Sequence, residues 1–139
     1  MSSLVVDGNP IIRHLCTADP TAVVVDDTVY LYTGHDEAPQ GTHEYVMRDW
    51  RCFSSSDLAT WVEHPVPLRA ADFAWSSGRA YASKVVAHND TFFWFVSVGD
   101  AFGPGNAIAV AAADNPVGPF RDHLGQPLVR HEDLPSARE

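Results

Sequence analysis

An all-β fold of two four-stranded antiparallel blades is what this sequence predicts, and three observations carry the prediction. β-Branched and aromatic runs are split by short polar turns; no stretch keeps a long 3.6-residue apolar period with caps; and the pattern occurs twice. Ala22-Val23-Val24-Val25, the turn Asp26-Asp27 and Val29-Tyr30-Leu31-Tyr32 make the first hairpin. Tyr45-Val46-Met47 and Arg51-Cys52-Phe53-Ser54 supply a third strand, and Ser55-Ser56-Asp57-Leu58 turns into a short outer strand at Thr60-Trp61. The second copy runs through Lys84-Val85-Val86-Ala87, the turn His88-Asn89-Asp90, Phe92-Phe93-Trp94-Phe95-Val96, Ala107-Ile108-Ala109-Val110-Ala111 and the turn Asp114-Asn115-Pro116-Val117-Gly118-Pro119-Phe120.

Aligning Asp27-Thr28-Val29-Tyr30-Leu31-Tyr32 with Asp90-Thr91-Phe92-Phe93-Trp94-Phe95 exposes a repeat of about 60 residues, longer than common solenoid units. Four antiparallel strands per repeat is the content of a propeller blade. The copies close on Pro65-Val66-Pro67-Leu68 and Gln126-Pro127-Leu128-Val129, which sets a first blade at about 15–70, a second at about 80–130 and a polar tail at 131–139 within one unit spanning 1–139. Trp50, Trp61, Trp94 and Phe120 are expected between the blades. The apolar side chains of Phe92, Trp94 and Val96 are expected on an uncovered flank that favours self-association, a two-fold dimer first.

The 139 residues carry a formal charge of −9, which repels phosphate backbones and anionic lipid and argues against nucleic-acid and membrane partners. No window approaches the roughly 20 apolar residues of a membrane span, and the N-terminus lacks a signal-like stretch, so the chain reads as soluble and cytoplasmic. Cys16 and Cys52 show no CxxC spacing and read as ordinary thiols. The histidine pairs His35 with His43 and His123 with His131 lack ligand spacings, so neither a metal nor another cofactor is expected.

The series Asn9-Pro10-Ile11-Ile12, Thr17-Ala18-Asp19-Pro20-Thr21, Val29 to Glu37, Phe53 to Trp61, Trp75, Ala82 to Val86 and Ala113 to Phe120 resembles the N-terminal part of glycoside hydrolase family 43. The resemblance covers nearly the whole chain. It implies two blades of a five-bladed β-propeller, related to inverting enzymes that act on arabinose- and xylose-containing saccharides, with Asp19 as counterpart of the general base. An inverting glycosidase sets that base about 6.5 to 9.5 Å from a protonated carboxylic acid. The family's acid and the Asp that tunes it belong to later blades, and neither motif is present here. The chain is therefore expected to be inactive or incomplete unless association supplies an acid, with Asp36, Glu37, Glu44 and Asp100 as candidates. A non-catalytic, carbohydrate-binding half-propeller is the alternative. His35 and Asp36, at the end of the second strand, are weighed as lying near substrate against a solvated loop; Phe73 and Trp75 as a sugar platform against core packing; and Ala82, which takes the place of Asp19 in the second repeat, as leaving room for a ring against close packing at the axis.

Overall fold

The computed structural model describes residues 2–5 and 8–135. It contains ten strands and two 3₁₀ turns in two separate antiparallel sheets. The first sheet holds β1 (Ser2–Val5), β2 (Cys16–Val25), β3 (Thr28–Asp36), β4 (Met47–Ser55), β5 (Thr60–Glu63) and β6 (Leu68–Arg69), in the order β1-β5-β4-β3-β2 with β6 beside β4. The second holds β7 (Ser76–His88), β8 (Thr91–Asp100), β9 (Asn106–Ala113) and β10 (Arg121–Asp122), ordered β10-β9-β8-β7. Both are propeller blades. The first is larger than the sequence pattern predicts, because Ser2–Val5 adds an outer strand that no turn signal announces.

Each blade begins with a hairpin closed by two polar residues. Val25 pairs with Thr28 around Asp26-Asp27, and His88 with Thr91 around Asn89-Asp90. Asp26, Asn89 and Asp90 take positive φ, which short Asn and Asp side chains tolerate better than branched ones. The closing segments also repeat. Leu68–Arg69 pairs with β4 and Val129 bridges Ile108 of β9; each is followed by a 3₁₀ turn, Ala70–Asp72 or His131–Asp133. In both turns the backbone N–H of the preceding arginine is held by an Asp three residues on: Arg69 by Asp72 at 2.8 Å and Arg130 by Asp133 at 2.7 Å. Residues 131–135 thus form a structured connector rather than a loose tail, and 136–139 lie outside the described residues.

The period-2 alternation of strands splits each sheet into two faces. Tyr32, Trp50 and Cys52 of the first blade meet Trp94, Val96, Ala109 and Phe120 of the second in one core cluster. Trp94 is its hub, with centroids 4.9 Å from both Tyr32 and Phe120 at near-perpendicular angles, and 6.0 Å from Trp50. Directional bonds tie the sheets together: Tyr32 Oη donates to Pro116 O at 2.6 Å, Trp50 Nε1 to Tyr81 O at 2.9 Å, and Phe120 N to Pro67 O at 3.1 Å. Burial raises the pKa of Tyr32, with Cys52 and Tyr30 adding to it, so this donor stays protonated.

Two packing expectations are corrected. Trp61 lies on the opposite flank of the first blade with Ile12 and Phe53, its Nε1 donating to Leu58 O. Phe92, Trp94 and Val96 are buried against the first blade, while Phe93 and Phe95, one step out of register, lie on the face that blade does not cover.

Candidate functional site

β2 and β7 are the inner strands, and they pack beside each other. Each carries a bulge near its start: the ladder slips between Ala18 and Thr21 in β2 and between Ala80 and Ser83 in β7. Asp19 sits in the first bulge, exposed, with φ of 48°. The bulge turns an otherwise ladder-bound residue outward, a common device beside binding sites. Ala82 sits exposed in the second bulge, so the two aligned positions are matched in structure and differ in chemistry.

Between the blades lies a cleft of about 380 Å³ lined by Tyr45 to Arg48 and Ser77 to Tyr81. The Tyr45 and Tyr81 rings face each other with centroids 6.2 Å apart and planes at 24°. Burial raises the Tyr45 phenol above its usual range, and Asp19, Asp36 and Tyr81 push it further in that order. Two carboxylates therefore act on one phenol at the edge of the cleft. Gly34 helps to place that phenol, because a Cβ there would lie 2.7 Å from Met47 Sδ, the atom to which Tyr45 Oη donates at 2.9 Å.

The other expected site residues are placed as follows. Asp36 staples its own loop: Oδ1 accepts from Ala38 N at 2.9 Å and Val46 N at 3.0 Å, and these backbone bonds hold its pKa below the ordinary carboxylate value. His35 points away from the cleft. Its Nδ1 lies 3.0 Å from Asp49 Oδ1 and 2.9 Å from Arg51 Nη2, and Arg51 Nε donates to the same Asp49 oxygen at 2.9 Å. His35, Glu37 and Asp49 hold ligand-type atoms within 4.8 Å of one another, but the Arg51 guanidinium supplies the local positive charge. Phe73 and Trp75 are 1% and 6% exposed, and Trp75 Nε1 donates to Asp122 Oδ2, so both rings are core packing rather than a sugar platform. The aromatic rings that line the cleft are those of Tyr45 and Tyr81. The sequence did carry a signal for Tyr81, which directly precedes the residue aligned with Asp19.

The four candidate acids lie in different surroundings. Asp36 is shifted in the wrong direction for a proton donor, Asp100 has a carboxylate 1% exposed and paired with Arg130, and Glu37 lies 3.6 Å from Arg48. Glu44 is exposed on the loop.

The model of glycosyl hydrolases family 43 matches residues 8–133. The chain belongs to this family. Among curated proteins it is 29% identical to an arabinoxylan arabinofuranohydrolase of Bacillus subtilis, over 88% of this chain and 27% of that one. It is 32% identical to a β-D-galactofuranosidase of Aspergillus niger, over 88% of this chain and 36% of that one. Among solved structures, a family 43 β-xylosidase/α-arabinofuranosidase from a compost metagenome, in complex with xylotriose, superposes with a TM-score of 0.77 at 28% identity. That match covers 91% of this chain and 39% of the other. The chain thus spans well under half the length of these relatives, and its two blades correspond to part of the family's five-bladed propeller.

Proposed function

We propose that this chain is the base-bearing part of an inverting glycosidase that acts on pentose-containing oligosaccharides and polysaccharides, arabinofuranosides and xylosides among them. The observation that carries this reading is Asp19, exposed on the inner-strand bulge beside the Tyr45–Tyr81 cleft. Its carboxylate takes a proton from the attacking water while an acid on the far side of the sugar protonates the departing oxygen. The environments of Asp36, Glu37 and Asp100 leave the acid to come from outside these residues. Those same environments favour a second reading, a carbohydrate-binding half-propeller without turnover.

Light scattering across a concentration series, followed by hydrolysis of aryl arabinofuranosides and xylosides at the same concentrations, separates the two. Turnover that grows with association and drops at least about 100-fold in Asp19→Asn supports the base assignment. Undiminished turnover in that variant overturns it. Sugar binding without turnover at any concentration selects the binding module.

A further inference from the structure

Of the nine Lys and Arg residues in this acidic chain, Arg48 and Arg79 line the cleft walled by Tyr45 and Tyr81. Both are exposed. Arg48 has only a loose partner, Glu37 at 3.6 Å, and Arg79 forms no ion pair with any described residue. A guanidinium without a carboxylate, in a cleft walled by two tyrosine rings, is unneeded for a neutral sugar; it matches a planar carboxylate, which two parallel N–H groups can grip. The volume, about 380 Å³, lies in the range of small-ligand clefts.

We propose that this cleft is a subsite for a uronic-acid substituent, so that the preferred substrate is an acidic, uronate-decorated pentose polymer. This rests on the reading of the chain as part of a pentose-directed glycosidase. Charge also fixes the orientation. Asp19 and Asp36 repel an anionic group from the Tyr45 edge, whereas Arg48 and Arg79 attract it, so the neutral pentose faces Asp19 and the uronate lies against the arginines.

The test is calorimetric titration of the chain as it stands with two ligands of equal length, a neutral arabinoxylo-oligosaccharide and a xylo-oligosaccharide carrying one glucuronic acid. Exposed guanidinium contacts are modest, so the acidic ligand is expected to bind about five- to tenfold more tightly at low ionic strength. Near 1 M salt, where the screening length is about 3 Å, the preference should fall below about twofold. Arg79→Gln should abolish the preference and Arg48→Gln should reduce it, while Arg121→Gln, the same charge change on another surface, should leave it intact. Equal affinities at low salt, a preference that survives Arg79→Gln, or an equal loss in Arg121→Gln overturns the uronate subsite. Binding of the neutral ligand without preference overturns it alone; failure of both ligands to bind overturns the pentose reading with it.

Discussion

The two blades share a plan and divide the labour. Each has a two-residue hairpin turn, a bulged inner strand and a 3₁₀ connector held by an arginine and an aspartate. At aligned positions the first blade has Asp19 and Leu31 where the second has Ala82 and Trp94. The first blade also carries the ionic groups His14, His35, Asp49, Arg51 and Glu63 on its outer flank, while the second contributes the aromatic hub. Duplicated backbone therefore constrains side chains weakly: one copy is free to specialise in chemistry while the other supplies cohesion.

The largest expected break in this comparison is Trp94→Ala. Trp94 is fully buried, and its removal should cost about 3–5 kcal/mol by denaturant unfolding, whereas Leu31→Ala, at the aligned and only half-buried position, should cost about 1–2 kcal/mol. Similar losses at both sites would mean that the hub does not dominate.

Next comes the connector. Arg130 pairs with the buried Asp100 carboxylate, while its counterpart Arg69 forms no ion pair with a described residue. Arg130→Gln strands a buried charge and should cost about 2–4 kcal/mol, against less than about 0.5 kcal/mol for Arg69→Gln. Matching midpoints for the two variants in urea would refute the asymmetry.

At the bulges, Asp19→Ala places a less tolerant residue at φ of 48° and should lose about 1 kcal/mol, an effect that Asp19→Gly avoids while removing the same carboxylate. Thermal melts of the two variants check this, and equal losses would assign the cost to the carboxylate instead.

The smallest expected effect depends on pH. His64 lies with Nε2 2.7 Å from Ser54 Oγ and Nδ1 buried without a partner, and burial lowers its pKa. The unfolded chain then binds more protons than the folded one, so this contribution is complete above about pH 6.5 and declines as pH falls from there through the lower folded value. His64→Gln should flatten stability against pH in that window; an unchanged slope would exclude His64 as its source.

The hairpins and the repeat were legible in the sequence because a period of 2 punctuated by Asp-Asp and Asn-Asp leaves few alternatives. β1 was not, since Ser2–Val5 is too short for a period and has no hairpin turn to its partner β5. The connectors had a signal in Leu68-Arg69-Ala70-Ala71-Asp72 and Val129-Arg130-His131-Glu132-Asp133, an Arg-x-x-Asp match that only its structural role makes visible. Asp19 could be singled out by resemblance and Tyr81 by its place before Ala82, but the pairing of Tyr81 with Tyr45 could not. Tyr45 and Tyr81 come from different blades, and a contact between sheets follows from packing rather than from local pattern. For Phe73 and Trp75 the sequence left platform and core both open, and their burial with the Trp75 Nε1 bond to Asp122 decides for the core.

The two sheets share no ladder of strand hydrogen bonds, yet Trp50 Nε1 reaches across to the carbonyl of Tyr81, a residue of the cleft itself. That bond works as a rivet close to a joint. The setting of the two sheets on either side of the cleft is held from within the hydrophobic interior. Changes at Trp50 or Trp94 thus reach the cleft through leverage rather than contact.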